Sequence, residues 1–161
     1  MMKQTTFSRR SFLQGTALAA GSLASGGCTS IRSALRFGKS REKLNLGVIG
    51  AGGQGVRDWS EMVDCGNVRI AAMCDTDSTM LDNAKKWHVD KGLKTDFTTY
   101  ADYRKMLETE KGLDAVLVAT PDHTHARAAV QAMKLGCHVY VEKPLVRTIW
   151  EARYFKQVAK E

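Results

Sequence analysis

Leu44-Asn45-Leu46-Gly47-Val48-Ile49-Gly50-Ala51-Gly52-Gly53-Gln54-Gly55 is the stretch on which the fold turns. Lys43 to Ile49 is a short apolar run of the buried-strand type, and Gln54 to Asp64 carries helical spacing. Between them lies a G-x-G-x-x-G loop at the mouth of the helix. A second apolar run, Asn67 to Cys74, is followed by Asp75, 20 residues after Gly55. In such a strand, loop and helix, Gly50 permits a tight turn and Gly52 lets a pyrophosphate approach the backbone. Gly55 lets helix and strand pack closely, and the helix N-terminus favours negative charge. Asp75 sits where a carboxylate accepts a hydrogen bond from a ribose 2′-hydroxyl. The pattern therefore predicts a dinucleotide site made by Gly50, Gly52, Gly53, Gln54, Gly55 and Asp75. A 2′-phosphate would be repelled by Asp75, and no arginine sits beside it in sequence, so NAD is favoured and NADP stays open.

Outward from this unit, strand and helix patterns alternate. A polar helix is expected from about Ser78 to Lys91, a short extended piece over Asp96 to Tyr100, and a helix from Asp102 to Glu110. Leu113 to Ala119 is the clearest buried strand; its helix should run from about His125 to Leu135 and stop at Gly136. His138 to Val141 is a fifth strand, and a capping box at Thr148 and Glu151 opens a last helix. Five strands joined by helices imply right-handed crossovers and an α/β fold, a Rossmann-type doubly wound parallel sheet. The methionines and tryptophans (Met62, Met73, Met106, Met133, Trp59, Trp87, Trp150) are expected to pack, and His88 and His138 to be structural or superficial.

Charge is divided unevenly along the 161 residues. Residues 1–43 hold 8 Lys and Arg against 1 acidic residue, whereas residues 44–161 hold 16 of each sign, so the formal +7 belongs to the leader. A domain without net charge lacks the electrostatic footprint of a nucleic-acid binder. Cys28, Cys65, Cys74 and Cys137 show no C-x-x-C pair and no zinc-type spacing, so no metal and no disulfide framework is expected, and most should be buried thiols. Asp122, His123 and His125 are too close together to hold a metal without a further ligand.

Ser8-Arg9-Arg10-Ser11-Phe12-Leu13-Gln14 precedes a weakly apolar run, Gly15 to Ala24, which is too short to span a bilayer. This segment resembles a bacterial twin-arginine signal, which implies export to the periplasm through the twin-arginine machinery. Ser22-Leu23-Ala24 offers a cleavage site, and Cys28 a faint lipoprotein-type anchor. The expected organisation is a signal at 1–28, a basic linker or arm at 29–43, and a nucleotide-binding domain at 44–161.

Two more segments fall at the carboxyl ends of strands, where parallel sheets hold their ligands. They are Thr120-Pro121-Asp122-His123-Thr124-His125 and Glu142-Lys143-Pro144. With the glycine loop, in this order and spacing, they resemble the N-terminal domain of the glucose-fructose oxidoreductase, inositol dehydrogenase and rhizopine-catabolism (Gfo/Idh/MocA) family. The resemblance implies that Lys143 lies beside the nicotinamide ribose and the substrate hydroxyl, after a peptide that is often cis before Pro144. It implies that Glu142 positions or charges Lys143, and that Thr120, Pro121 and His125 line the nicotinamide side of the cleft, with His123 a less certain contact.

Oxidising a secondary alcohol needs a group that accepts or orients the hydroxyl proton, and a lysine in a partly desolvated cleft suits that role. Lys143 is thus the expected catalytic residue, acting on a sugar, polyol or related hydroxy compound. Relatives add a second α/β domain that carries most sugar contacts, so truncation, or a partner that covers an exposed sheet edge or face, is expected. Homo-oligomers are common in the family. Export implies a tightly bound cofactor recycled in place, with the arm at 29–43 folded over its adenosine end. Two alternatives stand beside the oxidoreductase: an NAD-dependent glycosidase, against which Glu142-Lys143-Pro144 argues, and a non-catalytic dinucleotide-binding module or remnant.

Overall fold

Apolar runs become strands and the periodic stretches between them become helices throughout the computed structural model, which describes residues 43–161. The expected signal at 1–28, and all of the arm except Lys43, lie outside the described residues. The elements are β1 (Leu44–Ile49), α1 (Gln54–Asp64), β2 (Val68–Cys74), α2 (Ser78–Asp90), β3 (Thr98–Tyr100), α3 (Tyr103–Thr109), β4 (Ala115–Val118), α4 (Asp122–Lys134), β5 (His138–Val141) and α5 (Ile149–Val158). All five strands are parallel, in the order β3-β2-β1-β4-β5. This is the expected Rossmann-like α/β fold, with strand order reversing at β1.

A bulge sets which side chains face which layer. Leu46 lies opposite Ile70, but Gly47 lies opposite Ala72, so Ala71 is an extra residue in β2. Side chains alternate along a strand, and the inserted residue resets the alternation so that Ile70 and Met73 share a face. They join Leu46, Val48 and Leu117 against Trp59 of α1, Leu81 and Ala84 of α2, and Phe97. On the other face Ile49, Ala72, Cys74, Val116 and Val118 meet Met106 and Leu107 of α3 and Ala128, Ala129 and Ala132 of α4. The three alanines let α4 approach the sheet closely. Fully burying each large side chain is worth about 1.5–3 kcal/mol relative to exposure.

Local chemistry accounts for the helix ends. Asp77 and Asp102 cap α2 and α3 by accepting from Thr79 N and Arg104 N, each at 2.9 Å. The expected capping box opens α5, with Thr148 and Glu151 exchanging hydrogen bonds. Gly136, at φ 84°, follows the last turn of α4 as expected. Helix α4 begins at Asp122, three residues before the expected start at His125. Pro121 in front of it forms no obstacle, because a helix needs no N–H from that position, and Asp122 complements the positive end of the helix. His123, Thr124 and His125 therefore ride on the first turn of a helix.

Several packing expectations need correction. Trp150 is 70% exposed, stacked only on Tyr154 at 5.4 Å between ring centroids. Of the described cysteines Cys74 is buried and Cys137 half-buried, while Cys65 is exposed. His88 is structural: its Nδ1 lies 2.9 Å from the Ala84 carbonyl, and its ring stacks on Trp59 at 5.6 Å. Tyr140, Leu145 and Ile149, on or after edge strand β5, are exposed apolar side chains. Among the described residues no helix is long and apolar enough to cross a membrane.

Candidate functional site

The loops that leave β1, β2, β3 and β4 border an open cavity of about 770 Å³ at the carboxyl end of the sheet. Parallel sheets bind ligands there, at the point where strand order reverses. Gly50, Gly52, Gly53 and Gln54 contribute the wall after β1, Asp75 and Thr76 the wall after β2, Ala101 to Arg104 the wall after β3, and Thr120, Pro121, His123 and Thr124 the wall after β4.

The glycine loop is built to be close on one side and open on the other. Gly50 has φ 93°, and a Cβ there would stand 2.6 Å from the Ala119 carbonyl oxygen. A Cβ on Gly55 would collide with the Gly50 carbonyl oxygen. Gly55 thus does what the spacing predicts from behind the cavity wall, letting α1 press on its own loop. Gly52 lines the cavity, and a Cβ there would stand 2.7 Å from Met80 Sδ. Trp59 Nε1 donates to the Ala51 carbonyl at 3.0 Å and ties the loop to α1. Helix α1 opens at Gly53 without a side-chain cap, so its first amides keep their capacity for an anion.

Asp75 is the hinge of this half. Its Oδ2 accepts from Ala51 N at 2.9 Å and Gly52 N at 3.2 Å, and its Oδ1 accepts from Asp77 N at 3.0 Å. Its own N–H donates to the Tyr100 carbonyl at 3.1 Å, which joins the ends of β2 and β3. The carboxylate predicted to read a ribose therefore also holds the glycine loop in place.

The Thr120 and Lys143 segments form a second group. The Lys143–Pro144 peptide is cis. Lys143 is exposed and, like Glu142 and Pro144, stands outside the cavity lining. The Glu142 carboxylate accepts from the Lys143 backbone N–H at 3.1 Å instead of meeting its ammonium. His125 also lies outside the lining, at 1% exposure. Its Nδ1 is 2.8 Å from the Pro144 carbonyl and its Nε2 is 2.6 Å from the Thr120 carbonyl. The ring therefore sits behind the site, between the two loops that carry the polar groups; each tautomer of the neutral ring donates to one of the two carbonyls and only packs against the other. Thr124 Oγ1 adds a 2.6 Å bond to Thr120 Oγ1 on the same side.

Sequence spacing missed the wall after β3. Asp102 binds Arg104 as a fork, with Nε–Oδ1 at 2.9 Å and Nη2–Oδ2 at 2.7 Å. The Arg104 side chain, by its hydrogen bonds first, holds the Asp102 carboxyl down at about 2. The available signal was the cap pattern at Asp102, but nothing in the order of residues says that the third strand ends beside the second. Burial, reinforced by the nearby Asp75 and Asp102 charges, pushes the Cys74 thiol up to about 12. Among the described residues no cluster of three or more His, Cys, Asp or Glu could hold a metal.

A parallel sheet reversing at a glycine loop, with a carboxylate at the end of the next strand, defines a Rossmann-type nucleotide-binding domain. The chain belongs to the Gfo/Idh/MocA family: the profile of this oxidoreductase family with an NAD-binding Rossmann fold matches residues 44–161. A protein named glycosyl hydrolase family 109 protein 2, from Shewanella sp. (strain ANA-3), is 32% identical over 161 aligned residues, covering 90% of this chain and 35% of that protein. Among solved structures, myo-inositol 2-dehydrogenase from Lactobacillus plantarum superposes with a TM-score of 0.64 at 32% identity, over 73% of this chain and 33% of that one. Scyllo-inositol dehydrogenase from Lactobacillus casei, with bound NAD(H) and scyllo-inositol, shares the fold at a TM-score of 0.64 and 24% identity, over 73% of this chain and 33% of that one. The chain thus spans about a third of the length of these relatives.

Proposed function

We propose that this domain binds NAD across the carboxyl ends of its strands and is the nucleotide-binding part of an exported oxidoreductase acting on a sugar, polyol or related hydroxy compound. The observation that carries the reading is the Asp75 carboxylate bonded to Ala51 N and Gly52 N beside the uncapped start of α1. The residues fit the group: free amides suit a pyrophosphate, and Asp75 suits a ribose diol. When bound, the nicotinamide supplies the acceptor for hydride. Lys143 takes or orients the substrate hydroxyl proton, and Glu142 and the His125 tie hold its backbone. Because Lys143 is exposed in this domain, the desolvation that suits it to the role comes from whatever surface covers it. Asp75 favours NAD over NADP by repelling a 2′-phosphate.

Calorimetric titration of the chain with NAD and NADP tests the core of this reading. NAD binding that weakens in Asp75→Asn supports it, and binding of neither nucleotide overturns it. A second reading, a glycosidase that oxidises and re-reduces its sugar on bound NAD, is favoured by the names of the glycosyl hydrolase family 109 relatives. Net NADH formation from a polyol by the full-length protein supports the oxidoreductase. Redox-neutral release of a sugar from a nitrophenyl glycoside supports the glycosidase.

The Ser8-Arg9-Arg10-Ser11-Phe12-Leu13 segment supports export by the twin-arginine route to the periplasm, with a cofactor held tightly enough to travel with the folded protein. Replacing Arg9 and Arg10 together by lysine keeps the charge and should strand the protein in the cytoplasm. Unaltered recovery from the periplasm would remove this part of the proposal.

A further inference from the structure

The strand order assigns ends to the cavity. Asp75 closes β2 and marks the adenosine ribose, while Thr120 and Lys143, after β4 and β5, lie on the opposite side of β1. The base attached to the Asp75-bound ribose therefore falls toward the end of β3. There Arg104 lines the cavity together with Thr76 and Ala101. We propose that the guanidinium of Arg104, clamped by Asp102, is the stacking surface for the adenine ring of the dinucleotide. The inference rests on the NAD-binding reading above and goes beyond it by naming the residue that grips the base.

Three observations support a stacking surface over a phosphate ligand. The fork is two-pointed, at 2.9 and 2.7 Å, so the plane of the guanidinium is fixed before any ligand arrives. Its charge is already matched by Asp102, which lowers its attraction for a 2′-phosphate. The side chain lines the cavity and stays 66% exposed, so it has surface left for a ligand to cover. Asp102 is in turn fixed as the N-cap of α3 by accepting from Arg104 N at 2.9 Å, so the same two residues set both the helix start and the plane. A guanidinium over an aromatic face gains modestly at a partly exposed site.

Calorimetric titration of the full chain and its Arg104→Ala, Arg104→Lys and Asp102→Asn variants with NAD, NADP and ADP-ribose tests this. Arg104→Ala should weaken all three ligands by the same factor, about 3- to 10-fold. Arg104→Lys, which keeps the charge and loses the plane, should be as weak as alanine. Asp102→Asn should weaken binding in the same direction by a smaller factor, because an amide still caps α3 but holds the fork less firmly. Circular dichroism confirms that these exposed substitutions leave the fold intact. Unchanged affinity for NAD and ADP-ribose in Arg104→Ala would overturn the inference, as would a loss confined to NADP or full rescue by lysine. If the unsubstituted chain bound none of the three, the NAD reading itself would fall; if it bound NAD and only Arg104 proved silent, this inference alone would.

Discussion

His125→Phe isolates the bond that holds the two halves of the strand-end region together. The native ring is 1% exposed, with the Pro144 carbonyl 2.8 Å from Nδ1 and the Thr120 carbonyl 2.6 Å from Nε2. Phenylalanine fills similar space but donates nothing. A carbonyl that loses its donor while shielded from water costs about 1–3 kcal/mol, and a net hydrogen bond about 1 kcal/mol. Pro144 lies in an exposed segment, so water replaces part of what its carbonyl loses. The penalty should therefore fall near the low end, about 1–2 kcal/mol, or roughly 5- to 30-fold in the folding equilibrium. His125→Ala adds the void of a buried ring and should cost about 3 kcal/mol in total, which lowers the melting temperature of a domain this size by about 10–15 °C. Urea unfolding gives the global cost, and amide exchange over residues 142–147 gives the local one. Exchange there should quicken in both variants. If phenylalanine matched histidine within about 0.5 kcal/mol and exchange at 142–147 did not change, the ring would be a packing residue and the tie would be discarded.

Three further outcomes are expected. Gly55→Ala places a methyl against the Gly50 carbonyl oxygen, and because both are backbone-bound it should cost more than about 3 kcal/mol in urea unfolding and abolish NAD binding; a variant within about 1 kcal/mol of the native chain would contradict the packing argument. The Asp102 carboxyl is held at about 2, below the usual carboxylate range, chiefly by hydrogen bonds from Arg104. A depressed carboxylate adds stability that is present above the unfolded value and lost as pH falls through the folded one. Between about pH 4 and pH 2, Asp102→Asn should therefore flatten the acid side of the stability curve, and an unchanged slope there would count against the pair. At mildly alkaline pH a thiol reagent should modify exposed Cys65 well before Cys74, which is held up at about 12 by burial; labelling of Cys74 as fast as Cys65, read by peptide mass, would refute its burial.

The parts legible in the sequence are those whose causes are local. The glycine loop, α1 over Gln54–Asp64 and the Thr148 capping box follow from spacing within one turn or one loop, and each stands where the residues say. The start of α4 was misplaced because Pro121 and the polar run after it resemble a loop, although a proline just before a helix obstructs nothing. His125 was expected against the cofactor and instead lies behind the wall, since its role depends on where the Pro144 carbonyl arrives from 19 residues away. The bulge at Ala71 has no local signature either; it becomes visible only when Ile70 and Met73 are found on one face. Arg104 went unnoticed for the same reason, since the ends of β2 and β3 meet only through strand pairing.

The two ends of the site differ in what this domain supplies to each. Around Asp75 the glycine loop, the Asp102–Arg104 fork and the start of α1 all belong to residues 50–104, and hydrogen bonds brace the loop and the fork. Around Lys143 the backbone is equally well braced, by His125 and Glu142, but the side chain itself stands in solvent beside exposed Leu145. A braced backbone carrying an exposed lysine fixes where the side chain originates. On the proposed reading, nucleotide binding draws on groups within this domain, whereas a role for Lys143 in proton transfer would draw on a second surface that excludes water. On that division, substitutions at Asp75 or Arg104 should alter nucleotide binding in this chain by itself. Lys143→Met should weaken nucleotide binding by this chain less than Asp75→Asn does, and reduce turnover wherever the lysine is covered.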